Sequence, residues 1–196
     1  MTAPERPTRR PNARGHGDLL REEIVAAAAA MLAELGDDEA MSLRAVAKAL
    51  GISPTSVYLH FPDRDALVIA AMTRCHADMS AAVDARLEEA ARAEAPGPRQ
   101  ALRVRLKAMA AWALANPGLT KVMHESRTSP AMPFKAAMFE RLVDAVHPCT
   151  RTDPVAAALD LRSAVLGAVS LRINEPGLPW DALDGQVDRL VNAILG

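Results

Sequence analysis

A run of polar and basic side chains between Ser42 and Phe61 contains the groups of this sequence best suited to bind a partner. The segment reads SLRAVAKALGISPTSVYLHF, and no acidic residue occurs from Ala40 to Pro62. Hydroxyl, phenol and imidazole groups can hydrogen bond to base edges in the major groove of DNA, and basic side chains can bind phosphates. The sequence therefore predicts a surface that faces the groove, formed by Thr55, Ser56, Tyr58, Leu59 and His60, and flanking phosphate contacts by Arg44, Lys48 and Arg64.

The spacing of small and apolar residues in the same segment indicates two short helices joined by a tight turn. Ala47 is small where the second helix must approach the first, and Gly51 falls where the chain needs a left-handed conformation. Ser53 can cap the second helix, and Pro54 suits its first turn. The apolar contacts that hold the two helices together come from Val46, Leu50, Ile52 and Val57. Residues 42–61 are therefore predicted to form a helix-turn-helix motif.

The whole sequence predicts an all-α protein of about nine helices. Forty of the 196 residues are alanine, the strongest helix former, and no stretch alternates in the manner of a strand. Asp18 can cap a first helix that ends at Gly36. No proline or glycine occurs between Pro62 and Pro96, as in one long helix or two nearly continuous ones. The later helices are predicted over 99–115, 119–125, 134–146, 154–173 and 180–194.

The first 75 residues or so resemble the DNA-binding domain of the TetR/AcrR family of transcriptional regulators. The shared residues are Gly36, Ser42-Leu43-Arg44, Ala47, Gly51-Ile52-Ser53, Val57-Tyr58, His60-Phe61 and Asp65-Ala66-Leu67. The resemblance implies that bases or backbone are contacted by Pro54, Thr55, Ser56, Tyr58 and His60, and that phosphates are held by Arg44, Lys48 and Arg64. Many members carry a lysine or glycine after the turn where this chain has Pro54-Thr55, so no base preference can be transferred.

The same resemblance implies a domain organisation and a mode of regulation. We expect a disordered basic arm over residues 1–17, a DNA-binding domain over 18–65, and a ligand-binding and dimerisation domain over 66–196. In the family, the last two helices pair across a twofold axis and the middle helices enclose a ligand pocket. The expected function is that of a homodimeric repressor that binds a palindromic operator and responds to a small molecule. Two alternatives stay open, an activator of the same family and a helical adaptor for protein partners.

Several residues of the larger domain can either wall a ligand pocket or fill a helical core. They are Met109, Trp112, Met123, Met138 and Phe139, together with His124, which can line a cavity or lie partly exposed on a short helix. The helix over 154–173 carries few charges and several small residues, which would permit close packing in a dimer. Leu171, near its end, is expected in the core.

Charge and cysteine content narrow the class of protein further. The formal net charge of −1 alone argues against DNA, but residues 1–17 carry four arginines and one acid. This arm can contact DNA or act as a solubilising tail. Cys75 and Cys149 are expected to be inert thiols, because two cysteines cannot form a disulfide framework and neither has a clear resolving partner. No histidine or cysteine group has metal-ligand spacing, and no cofactor is predicted.

Two further classes of protein, exported and membrane-bound, are disfavoured by the N-terminal region. The longest apolar run, Ile24–Ala33, is shorter than the roughly 18–20 residues that cross a bilayer. Arg9-Arg10 imitates a twin-arginine export signal, but acids lie between it and the apolar run, namely Asp18, Glu22 and Glu23. We therefore expect a cytoplasmic protein without a membrane-spanning helix. No nucleophile, base and orienting group occur together around His60 or His124, so no catalytic residue is predicted.

Overall fold

The computed structural model describes residues 16–126, 128 and 131–196, so residues 1–15 of the predicted arm lie outside it. Within these residues the chain forms nine α-helices and no strand. They are α1 (His16–Leu35), α2 (Leu43–Leu50), α3 (Pro54–Tyr58), α4 (Arg64–Ala93), α5 (Pro98–Ala115), α6 (Pro117–Glu125), α7 (Phe134–Val146), α8 (Pro154–Asn174) and α9 (Leu183–Leu195). A short 3-10 helix at His147–Cys149 follows α7. The predicted all-α fold is confirmed.

Several helix starts differ from the predicted ones. The last helix, α9, begins at Leu183 and not at 180, and the Trp180 indole donates instead to the Glu175 carbonyl at 2.9 Å. α5 begins at Pro98 and α6 at Pro117, slightly earlier than predicted. The N–H that proline lacks is one that a first-turn residue would leave unpaired in any case. α1 begins at His16, so Asp18 lies within its first turn and is not the cap that we predicted. There its carboxylate interacts favourably with the positive end of the helix dipole.

α4 is one helix of 30 residues, where the sequence allowed one helix or two. At about 1.5 Å per residue it is roughly 45 Å long. Its cap is Asp63, whose carboxylate accepts a hydrogen bond from the Ala66 N–H at 2.8 Å. α4 packs against both α1 and α5, so it connects the helix-turn-helix to the remaining helices.

The described helices share two hydrophobic cores. The first core joins α1–α4 to α6 and the start of α7, with buried members that include Ile24, Leu32, Val57, Leu67, Val122 and Phe134. The second core joins α5, α7, α8 and α9, with Leu106, Leu142, Leu161, Val165 and Val187 among its buried members. Because α4 and α6 contribute side chains to the first core, that core extends beyond residue 65. The predicted domain boundary there stays a prediction.

α8 is the one helix of the described part of the chain that is long and apolar enough to cross a membrane. Its apolar residues are interrupted by charged and polar ones, so it contains no long continuous apolar run. α8 packs against α5, α7 and α9 with one face, on which Ala158, Leu161, Val165 and Val169 are buried. About a third of its apolar window is buried in this way.

Candidate nucleic-acid interface

The turn of the predicted motif is closed by Gly51. This residue has φ +66° and ψ 28°, a left-handed conformation that glycine adopts at low cost. Its N–H donates to the Lys48 carbonyl at 3.2 Å, and the Ile52 N–H donates to the Ala47 carbonyl at 3.0 Å. At the other end of α2, the Ser42 hydroxyl caps the first turn. The left-handed turn is present as predicted, and the cap at Ser42 is a further feature that the structure adds.

α3 has only five residues, and its flanks hold it in place. The Ser53 hydroxyl accepts a hydrogen bond from the Ser56 N–H at 3.2 Å, and the two hydroxyls lie 2.9 Å apart. Pro54 occupies the first turn as predicted. On the inner side, Val57 is fully buried in the first core and Phe61 is nearly so. Capping and burial together fix which face of α3 points outward.

That outward face carries the residues predicted to contact DNA. The exposed ones are Pro54, Thr55, Tyr58 and Leu59, and the half-buried ones are Ser56 and His60. Tyr58 is 51% exposed and Leu59 is 81% exposed. A phenol, a hydroxyl and an imidazole beside an exposed leucine form a mixed surface that can hydrogen bond to base edges and contact a thymine methyl group.

Two of the three predicted phosphate-binding residues are free to bind. Arg44 and Lys48 lie one turn apart on α2, and both are exposed. Neither forms an ion pair with a side chain that the structure describes. Both charges are therefore available to a polyanion.

Arg64, the third, is half-buried and already paired. Its Nη2 and Nε donate to Asp65 Oδ1 at 2.8 and 3.0 Å, and its Nη2 lies 4.0 Å from Asp38 Oδ2. The hydrogen bond to Asp65 raises the pKa of Arg64, attraction to the two carboxylates adds to this, and burial opposes it. A phosphate at this position would compete with carboxylates of the same chain.

One basic residue beside the motif was not predicted from the sequence. Arg21 lies exposed on α1, and its guanidinium carbon is 5.0 Å from the centroid of the Phe61 ring. This cation–π contact places a positive charge at the end of the helix-turn-helix motif, residues 42–61. No local pattern indicates it, because the two residues are far apart in the sequence.

Most of the predicted pocket residues surround a cavity of about 60 Å³ among α4–α8, here termed the inner cavity. Five of the six predicted residues line it, namely Met109, Trp112, Met123, His124 and Met138. Phe139 is not part of the lining and packs, partly buried, against the second core. Arg162 on α8 also lines the inner cavity, and no pattern of nearby residues predicts this position.

A second space of about 400 Å³ lies between α6 and α8, here termed the outer cleft. It shares three lining residues with the inner cavity, Thr120, His124 and Leu166. Burial lowers the pKa of His124 to about 4, and the positive charges of Arg162 and Lys135 contribute to the shift. His124 is therefore a neutral imidazole at pH 7, which can donate one hydrogen bond and accept one.

The outer face of α8 exposes apolar and small residues. Val155, Leu159 and Leu171 are each more than two-fifths exposed. The expectation that Leu171 lies in the core is therefore wrong, because the side of α8 on which it lies is not covered by another helix of this chain. A methyl group added at Gly167 would meet no atom within 4 Å, which shows that the face is open there as well.

The two cysteines are free thiols in different surroundings. Cys75 is buried, and burial raises its pKa to about 11. Cys149 is half-buried, and burial raises its pKa too. Thiols with raised pKa values are poor nucleophiles at neutral pH. Within the described residues, no group of three or more metal-ligating side chains comes together.

Comparison with known proteins gives two family matches. Residues 24–71 match the model for bacterial regulatory proteins of the tetR family. Residues 102–195 match the model for a tetracyclin repressor-like C-terminal domain. Together the two matches cover well over half of the chain. No curated protein matches the chain in sequence.

Solved structures share the fold over nearly the whole length. The fatty acid degradation regulator FadR from Bacillus halodurans has a TM-score of 0.70 and 16% identity, covering 95% of this chain and 97% of its own. A protein of unknown function from Rhodococcus sp. RHA1 has a TM-score of 0.72 and 22% identity, with 90% and 93% covered. A TetR-like transcriptional regulator from the same organism has a TM-score of 0.64 and 20% identity, with 95% and 96% covered. With its N-terminal and C-terminal parts both matched by tetR models, and with a helix-turn-helix whose polar face is exposed, the chain belongs to the TetR family of DNA-binding transcriptional regulators.

Proposed function

We propose that this regulator is a homodimeric repressor that leaves a palindromic operator when a small molecule binds. The observation that carries the proposal is the exposed polar face of α3 beside the unpaired cations of α2. A recognition helix reads base edges while neighbouring cations hold the backbone, and this arrangement supplies both. The protein acts in the cytoplasm, where the DNA is, and has no catalytic role in this proposal.

Each DNA-binding domain reads one half of the operator. Contacts to bases or backbone come from Pro54, Thr55, Ser56, Tyr58 and His60, and phosphates are held by Arg44, Lys48 and Arg64. Because the net charge is only −1, non-specific attraction to DNA is modest. Tight binding then depends on two domains held at the right spacing, about one helical turn apart.

The dimer forms through α8 and α9, as the family resemblance implies. Its support here is the open apolar face of α8, with Val155, Leu159 and Leu171 exposed. α9 is held against α5 by an ion pair in which Lys107 Nζ lies 2.8 Å from Asp188 Oδ2. The outer side of this pair of helices is therefore available for the same surface of a second copy.

α6 provides the path from the inner cavity to the DNA-binding domain. Thr120 and His124 line the cavity, and Gly118 at the start of the same helix packs on α1. A Cβ atom at Gly118 would lie 2.1 Å from the Ala33 carbonyl oxygen. A ligand that shifts α6 therefore also shifts α1. The ligand can change the spacing of the two DNA-binding domains only if it binds the released arrangement of the dimer more tightly than the DNA-bound one.

A second contact joins the residues after α6 to the segment before α2. The Thr128 hydroxyl donates to Asp38 Oδ2 at 2.8 Å, and both residues are buried. The same carboxylate lies 4.0 Å from Arg64 Nη2 at the start of α4. A displacement of the chain after α6 would therefore also move the helix-turn-helix motif, through this contact.

Capture of genomic DNA by the purified protein, followed by DNase I footprinting, tests the proposal. We expect a protected palindrome, with the promoter beside the protein's own reading frame as the first fragment to examine. Tyr58→Ala should lower the affinity for it at least about tenfold, the usual cost of losing a base contact. Arg86→Ala is the matched control, because Arg86 is an exposed residue of α4 paired with Glu89. Absence of any protected palindrome would contradict the proposal.

The alternatives give different results in the same system. A helical adaptor would bind its protein partner equally well after Tyr58→Ala. An activator would raise transcription of a reporter from the protected promoter, whereas a repressor lowers it.

A further inference from the structure

The inner cavity is apolar except for a few polar side chains. Methionines from α4, α5 and α7 form much of its wall, namely Met79, Met109 and Met138. Its side chains with polar atoms are Trp112, Thr120, His124 and Arg162. The Thr120 hydroxyl already donates to the Ala113 carbonyl at 2.9 Å. The groups left for a ligand are therefore the Trp112 indole N–H, the neutral imidazole of His124 and the guanidinium of Arg162, of which only Arg162 is charged.

Arg162 has no carboxylate partner among the residues that the structure describes. In contrast, Arg103 and Lys107 share Asp188, at 3.5 and 2.8 Å. Burial lowers the pKa of Arg162, which shows that water stabilises its charge less well there. Arg162 is half-buried, so its charge is partly screened from water, and a bound carboxylate would find an unpaired guanidinium there.

The sizes of the two spaces constrain how a ligand lies in them. The inner cavity, at about 60 Å³, accommodates a small polar group and no complete effector. The outer cleft, at about 400 Å³, has a mainly apolar surface that includes Pro117, Leu166 and Ile173. It also contains one cation and one anion, Lys121 and Glu125, whose opposite charges favour neither sign of ligand. The two spaces are adjacent, with Thr120, His124 and Leu166 between them, so a ligand that displaces these side chains can place its polar group in one space and its apolar part in the other. The methionine side chains can adjust to its shape.

Building on the proposed function, we infer that the effector is an amphipathic monocarboxylate whose carboxylate pairs with Arg162 and whose apolar chain lies in the outer cleft. A guanidinium binds a carboxylate through two parallel hydrogen bonds. His124 donates one more hydrogen bond to the carboxylate. A cationic ligand would be repelled by Arg162, and a neutral one would leave the guanidinium charge uncompensated.

Isothermal titration calorimetry on the full chain tests this with three probes of one chain length, octanoate, octanamide and octylammonium. We expect octanoate to bind at least about tenfold more tightly than octanamide, because its hydrogen bonds with Arg162 are charge-assisted. Octylammonium should bind most weakly. In Arg162→Gln, the affinity for octanoate should fall to that for octanamide, while the affinity for octanamide stays within about threefold of wild type. Arg162→Lys keeps the charge and should retain part of the preference, and Arg86→Gln should retain all of it.

Folding of the variants is checked by circular dichroism and thermal unfolding. Arg162→Gln should leave the Tm nearly unchanged, since it removes a half-buried charge that has no carboxylate partner in the described structure. If Arg162→Gln does not fold, Arg162→Lys provides the test. We expect Arg162→Lys to prefer octanoate over octanamide less strongly than wild type does.

Four results would overturn the inference. They are octanamide binding as tightly as octanoate, octylammonium binding most tightly, no binding by any probe, and an octanoate affinity that is unchanged in folded Arg162→Gln. Failure of the proposed function gives a different pattern, in which octanoate binds as expected but the protein protects no DNA.

Discussion

The cations of the helix-turn-helix and the cation of the inner cavity lie in opposite surroundings. Arg44 and Lys48 project into water, where salt screens them, so only a partner with many negative charges gains much from them. Arg162 faces apolar walls, where a single carboxylate from a ligand would interact with it strongly. The same type of charge therefore suits a polyanion outside the protein and a single anion inside it.

The two regions also differ in what already compensates their charges. Arg64, at the edge of the motif, is paired with Asp65, whereas Arg44 and Lys48 have no such partner. Around the inner cavity, the charge of Arg162 helps to keep His124 neutral.

Removing both exposed cations of α2 should have the largest effect. We expect the double variant Arg44→Ala, Lys48→Ala to bind operator about 100-fold less tightly at about 0.1 M salt. The slope of log K against log salt should fall by about 3 to 4 per dimer, since four phosphate contacts are lost. Fluorescence anisotropy over a range of salt concentrations measures both. An unchanged slope would show that these cations do not contact phosphates, and octanoate affinity serves as the control for intact folding.

Gly118→Ala should have the next largest effect, on the contact between α6 and α1. The added Cβ would lie 2.1 Å from a backbone oxygen, so the helices must separate, and we expect a loss of about 2.5 kcal/mol in the free energy of unfolding. Gly177→Ala is the control, because a Cβ there meets no atom within 4 Å, and it should change stability by no more than about 0.5 kcal/mol. Urea denaturation compares the two. Equal stabilities would mean that α6 does not pack closely on α1.

A smaller effect should appear in the pH dependence of stability. His124 has a folded pKa of about 4, below the ordinary value of 6.5, so the unfolded chain binds a proton more readily between these two pH values. The free energy of unfolding should therefore fall as the pH drops through that range, by about 2 kcal/mol from this residue. His124→Gln should remove this part of the slope, which urea denaturation at several pH values measures. If the free energy of unfolding depended on pH equally in wild type and His124→Gln, His124 would be exposed to solvent.

Arg64→Ala should have the smallest effect. Because Arg64 is already paired with Asp65, we expect less than about a threefold loss of operator affinity. Arg44→Ala alone should lower the operator affinity more than Arg64→Ala does. It should also reduce the slope of log K against log salt by a larger amount. The same anisotropy titration measures both variants. A larger loss of operator affinity in Arg64→Ala than in Arg44→Ala would contradict this prediction.

How far the sequence predicted these features depends on how local their causes are. The left-handed turn at Gly51 and the Ser53-Pro54 start of α3 were predicted because each depends on a few adjacent residues. The cap at Ser42 is equally local, but it was not predicted. The outward face of α3 followed from them, since burial of Val57 fixes the rotation of the helix.

The features that were missed depend on packing between distant segments. Arg162 is one of several arginines in the sequence, and it lines the cavity only because of how α8 packs with its neighbours. Arg21 meets Phe61 for a similar reason. Phe139 was predicted beside the other pocket residues from its type alone, and its position on α7 places it against the second core instead.

The most direct test of the account is reciprocal binding of operator and octanoate to the same protein. If the inner cavity and the DNA-binding domain are coupled, octanoate should weaken operator binding by the same factor by which operator weakens octanoate binding. We expect a factor of at least about five in wild type and none in Arg162→Gln. Octanoate that binds with equal affinity in the presence and absence of operator would contradict the account.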